Sequence, residues 1–158
     1  MRDGGEIVKD QMVRSQKSSD EGTVCIFCRI RDGQDESATI FRNETTVAFL
    51  DTRPVFEGHV LVIPAKHYTS IFEIPSTEFS ALCVKVQEVA QAVKTAMSAD
   101  GVLVISNNGV SQSVAHLHVH VIPRRRKDGL RGFMWPRRRY ESNAVAAAVA
   151  QRIAEELS

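Results

Sequence analysis

The sequence predicts an α+β domain with a five-stranded, mainly antiparallel sheet and two principal helices. Three observations carry that prediction. Five short runs rich in β-branched and apolar residues are separated by turn signals at roughly hairpin distance. One long segment from Ser76 onward keeps its apolar residues at helical spacing. A second, Ala-rich helical segment closes the chain. With 158 residues, 43% of them apolar and 25% charged, the chain has the composition of one domain that buries its own core.

The elements follow in order. Residues 1–22 carry Gly4-Gly5, Ser18-Ser19 and many charges, and read as a flexible tail ahead of a single domain over 23–158. Cys25 to Ile30 forms one or two helical turns that end before Gly33. Residues 39–42 and 46–50 make a hairpin around Asn43-Glu44. Residues 58–63 form a third strand, stopped by Pro64. Ser76 caps the long helix, with Glu78 in its first turn. Phe79, Leu82, Val86, Val89, Val93 and Met97 form its apolar stripe, and Cys83 on that side is expected to be buried. Residues 102–106 and 114–122 are the last two strands, joined through Asn107-Asn108-Gly109. Asn143 caps the final helix, whose apolar side carries Val145, Val149, Ile153 and Leu157.

Composition also excludes partners. A net charge of +1 provides no global field for nucleic acid. The arginine runs 124–126 and 137–139 around Trp135 read as a solvated basic rim, so no nucleic-acid partner is expected. No run approaches the ~18 apolar residues of a membrane span. The polar N-terminus has no apolar signal core, so a cytoplasmic protein is expected. Cys25-x-x-Cys28 is therefore read as a metal-binding pair rather than a disulfide.

The chemistry concentrates in His116, His118 and His120, which alternate with Leu117, Val119 and Val121. Side chains alternate across a strand, so the three imidazoles share one face and the three aliphatic residues the other. Imidazole serves as nucleophile, proton carrier or metal ligand. The preceding Asn107-Asn108-Gly109 and Ser111-Gln112-Ser113 offer backbone N–H groups, amides and hydroxyls suited to a phosphate oxyanion. No Gly-x-Ser-x-Gly elbow is present for acyl transfer. A strand of merely satisfied imidazoles or a His-x-His metal site are the alternatives for this strand.

Asn107-Asn108-Gly109, Gln112-Ser113 and His116-Leu117-His118-Val119-His120-Val121-Ile122 resemble the signature of the histidine triad (HIT) family of nucleotide hydrolases and transferases. The likeness extends upstream through Ala48-Phe49-Leu50-Asp51 and Gly58 to His67. It implies a HIT-like fold and a hydrolase acting at the α-phosphate of purine nucleoside phosphoramidates or related nucleotide conjugates. His118 is then the nucleophile of a nucleotidyl-histidine intermediate. His120, Gln112 and Asn107 hold phosphate oxygens, Ser113 assists the leaving group, and His59 supports the triad. Asp51 takes the ribose hydroxyls, while Phe27 and Ile30 flank the base. Family members with a Cys-x-x-Cys at this place bind structural zinc, which implies Cys25, Cys28, His67 and His116 as ligands. A homodimer is also implied. The Gly109–Gln112 turn is shorter than is usual in the family, and Ser111 stands where glycine is common. A dinucleoside polyphosphate hydrolase and a nucleotide-binding regulatory module are the rival readings.

Overall fold

The computed structural model describes residues 25–130 and 139–157. The expected tail and the Met134-Trp135-Pro136 stretch lie outside the described residues. A five-stranded sheet runs β1 (Thr39–Arg42), β2 (Thr46–Leu50), β3 (Val60–Pro64), β5 (Val119–Arg124), β4 (Gly101–Ile105) in spatial order. Every neighbouring pair is antiparallel. Helix α1 (Ile26–Arg31) covers one face, and α2 (Ser76–Ala96) packs on the other.

Period-two alternation sorts side chains between those faces. Ala48, Val60, Val62, Leu117, Val119 and Val121 meet Leu82, Val86, Val89 and Val93 of α2. Val47, Phe49, Leu61 and Ile63 meet Phe27 and Ile30 of α1. The central strand β3 is buried throughout, which explains its unbroken Val-Leu-Val-Ile run. Each large aliphatic side chain so buried contributes about 1.5–3 kcal/mol.

Several boundaries depart from the sequence reading. The last strand begins at Val119 rather than Val114, so His116 and His118 lie on irregular backbone just before it. Their alternation persists because Leu117, like Val119, is anchored in the α2 core. Pro64 and Pro123 sit inside strands, pairing opposite Thr46 and Val102. Pro75, not Ser76, is the N-cap of α2, and no side chain caps it. At α3 (Asn143–Glu155) the cap is Ser142, whose side chain accepts from the Val145 N–H; Asn143 is the first helical residue. Cys83 is exposed, because the stripe buried against the sheet is Leu82, Val86, Val89 and Val93, and Cys83 lies beside it.

The loop from Asp51 to His59 positions the site. Its Gly58 adopts φ +87, and a Cβ there would stand 2.6 Å from Met97 Cγ. Only glycine both tolerates that dihedral and fits.

Candidate active site

Two histidine-bearing sites flank α1. The first joins Cys25 at the N-cap of α1, Cys28 in its first turn, His67 after β3, and His116 before β5. Cys25 Sγ lies 3.5 Å and Cys28 Sγ 3.6 Å from His116 Nδ1, and Cys28 Sγ lies 3.3 Å from His67 Nδ1. A tetrahedral zinc with ordinary Zn–S and Zn–N bonds sets S···N edges of about 3.5 Å. The donor set and its spacing fit that ion. His116 Nε2–H donates to the Pro64 carbonyl at 3.0 Å, which leaves Nδ1 unprotonated and facing the thiols. Burial, followed by the neighbouring Cys25, pushes the Cys28 thiol above its ordinary value. Burial likewise holds His116 down to about 4. Burial thus favours the neutral form of both groups, and a bound cation would favour the thiolate. These four residues could therefore hold a metal.

The second site is a cavity of about 390 Å³ on the α1 face of the sheet. Phe27, Ile30, Phe49 and Leu61 form its apolar end. Asp51, Arg53, Ser113, His118 and His120 form the polar end. Phe27 and Ile30 are thus both core and cavity wall.

Hydrogen bonds fix which ring nitrogens are free. His118 Nδ1–H donates to the His116 carbonyl at 2.7 Å, so Nε2 carries the lone pair. His118 is only 1% exposed. Yet among the described residues no buried side-chain nitrogen lacks a partner, and Nε2 has none; it opens on the cavity. The Phe27 ring packs edge-on to the His118 ring at 5.3 Å and limits its rotation. Ser106 Oγ–H donates to the His118 carbonyl at 2.8 Å and holds the backbone there.

A second chain of bonds sets His120. The Val55 N–H donates to His59 Nδ1 at 3.2 Å, which assigns the His59 proton to Nε2. His59 Nε2–H then donates to His120 Nδ1 at 2.9 Å, which assigns the His120 proton to Nε2. Burial, then the adjacent His118 and His59, push His120 down to about 4. Burial lowers His59 against the opposing pull of Asp51, whose carboxylate lies 3.6 Å away. The pocket thus holds the lone-pair nitrogen of His118 beside the N–H donor of His120, whose ring burial and its neighbours keep neutral at physiological pH.

The structure brings together Phe27, Ile30, Asp51, Ser113, His118 and His120 in one cavity, with His59 directly behind. Asn107 and Gln112 are not on its wall. The Asn107 amide donates to the Ser111 carbonyl, and Gln112 spans the Gly109 N–H and the Thr69 carbonyl. Ser111 adopts φ +58, the conformation for which glycine is the easier residue. Sequence reasoning missed Arg53, Phe49, Leu61 and Ser106. Phe49 and Leu61 alternate in phase with Val47 and Ile63, a signal that was present; no motif marked Arg53.

The HIT domain family matches residues 32–127, more than half of the chain. The chain belongs to the HIT family. Curated HIT relatives include the adenylylsulfatase HINT3 of Arabidopsis thaliana, 34% identical over 108 residues, 67% of this chain and 55% of that longer protein. The adenosine 5'-monophosphoramidase HNT1 of Candida albicans is 33% identical over 118 residues, 71% of this chain and 78% of that protein. Among solved structures, a Zn-bound histidine triad family protein from Mycobacterium smegmatis superposes with a TM-score of 0.65 at 32% identity. That superposition covers 84% of this chain and 97% of the other.

Proposed function

We propose that this HIT protein is a nucleotide hydrolase that cleaves at the α-phosphate of purine nucleoside phosphoramidates or related nucleotide conjugates. One observation carries the reading: His118 Nε2 holds a lone pair, faces the cavity, and is fixed by the Nδ1–H bond to the His116 carbonyl. In the first step Nε2 attacks phosphorus, forming a P–N bond as the bond to the leaving group breaks. Ser113, on the same wall, donates its proton to the departing atom. In the second step water attacks the phosphorus of nucleotidyl–His118 and returns a proton to Ser113 as the P–N bond breaks, releasing the nucleoside monophosphate and restoring the Nε2 lone pair. His120 Nε2–H donates to a phosphate oxygen, and His59 holds it in that tautomer. Asp51 takes the ribose hydroxyls while Phe27 and Ile30 flank the base. Gln112 and Asn107 join the phosphate only if their turn releases the Thr69 and Ser111 carbonyls.

The names of the two enzymatic relatives support the same chemistry, since both imply an adenylyl group on a leaving amine or sulfate. In this reading residues 23–158 act as one domain. Cys25, Cys28, His67 and His116 would hold Zn²⁺, which would tie α1, with its base-flanking Phe27 and Ile30, to the triad backbone. Reduced thiolates suit a cytoplasmic setting. The chain acts as a homodimer: β4 is an open sheet edge, with Val104, Ile71 and Cys83 exposed on one surface there. No helix among the described residues is long and apolar enough to cross a membrane.

The test is monophosphate release from an adenosine phosphoramidate. His118→Ala should lower kcat/KM by ~10³-fold or more while AMP still binds. Undetectable turnover by the wild type alongside tight AMP binding would instead favour the regulatory module.

A further inference from the structure

Arg53 is the one residue with a fixed positive charge among the described residues lining the catalytic cavity. The other ionisable groups of that wall are Asp51, His118 and His120. Burial and the neighbouring rings keep His120 uncharged at neutral pH. Were residue 53 neutral, the wall would present the Asp51 carboxylate alone to a substrate whose phosphates are all negative.

The fold makes no use of this guanidinium. The loop is held by other groups: the Arg53 backbone N–H donates to Asp51 Oδ1 at 2.8 Å, and the Val55 N–H donates to His59. The nearby arginines are occupied, Arg29 by Asp35, Arg31 by Asp32 and the Ala65 carbonyl, and Arg42 by the Ile30 carbonyl. The Arg53 side chain has no hydrogen bond, ion pair or ring contact within the described residues. Five donors in a planar fork therefore remain uncommitted at the cavity rim. A guanidinium in that state matches an oxyanion in two-point geometry.

We infer that Arg53 raises activity toward nucleotide conjugates whose leaving group is itself anionic (sulfate, phosphate or polyphosphate on the α-phosphorus) relative to phosphoramidates with a neutral amine. This rests on the hydrolase reading, in which the His118–His120 pair and Ser113 already serve the α-phosphate that all these substrates share. The additional charge lies beyond that phosphate and grows as the P–O bond breaks, so a fixed cation aids its departure. Asp51, two residues away, repels any anion that Arg53 does not engage, which sharpens the choice.

The experiment compares kcat/KM for adenosine phosphoramidate, adenylyl sulfate and a diadenosine polyphosphate in the wild type, Arg53→Gln and Arg53→Lys. We expect Arg53→Gln to reduce the ratio of anionic to neutral leaving groups by about tenfold, with partial recovery in Arg53→Lys. Calorimetry on a His118→Ala background should show a similar fall in the affinity for ADP relative to AMP. An equal loss on all three substrates would assign Arg53 to the shared nucleotide, and an unchanged ratio would remove its role; either overturns the inference. If the wild type releases no AMP from any of the three, the hydrolase reading fails, while the ADP-to-AMP affinity ratio still decides Arg53.

Discussion

Acidification probes the electrostatic state of the cavity through folding stability. His120 is held down to about 4 by burial and by the adjacent His118 and His59. An unfolded histidine titrates near about 6.5. The folded value lies below the unfolded one, so the neutral ring stabilises the protein fully above about pH 6.5. That contribution is lost as the pH falls towards 4, because the unfolded chain binds a proton the folded site refuses. At about pH 5 a shift of this size corresponds to about 2 kcal/mol. His120 keeps some solvent contact, which screens the effect, so we expect about 1–1.5 kcal/mol. Urea unfolding at about pH 7.5 and about pH 5, in the wild type and in His120→Asn, isolates this part. His116, also held at about 4, is present in both proteins and cancels in the difference. The wild type should lose more stability than the variant by that amount. Equal losses, or a His120 resonance titrating above about 6, would refute the argument.

Other perturbations separate the two sites. Cys28→Ser removes one donor of the four-residue cluster, so zinc per chain should fall in elemental analysis and thermal stability should fall with it; unchanged metal content and melting would remove the zinc assignment. Gly58→Ala places a methyl 2.6 Å from Met97 Cγ at φ +87, and chemical denaturation should register a loss of about 2–4 kcal/mol. Because that glycine closes the Asp51–His59 loop, kcat/KM should fall as well. Ser106→Ala removes the 2.8 Å bond to the His118 carbonyl and should cost about 1 kcal/mol in the same denaturation assay.

What the sequence made legible were features with a strict period or a strict spacing. Leu117, Val119 and Val121 against His116, His118 and His120 gave the two faces correctly, although the regular strand starts only at Val119. Cys25-x-x-Cys28 predicted a metal pair, and the fold brings His67 and His116 to it across 39 and 88 residues of chain from Cys28. The rest depended on long-range contacts that no local pattern encodes. Cys83 read as buried because its neighbours share a helical period, yet the sheet it would need lies against Leu82 and Val86 instead. Ser76 and Asn143 are good capping residues one position inside the actual caps, a displacement that propensity does not resolve. The bonds of Gln112, to which the resemblance gives a phosphate role, span the Gly109–Thr69 gap and join residues up to 43 apart in the chain, which no local pattern announces. Arg53 became visible only once the loop put it on the cavity wall.

The nucleophile admits a direct test. Rapid quenching of the protein during turnover of a labelled adenosine phosphoramidate, followed by peptide mass spectrometry, locates any covalent nucleotide. The account predicts an adenylyl group on His118 that forms and decays at rates matching turnover, and no adduct in His118→Ala. An adduct on another side chain, or turnover surviving in His118→Ala, would contradict it.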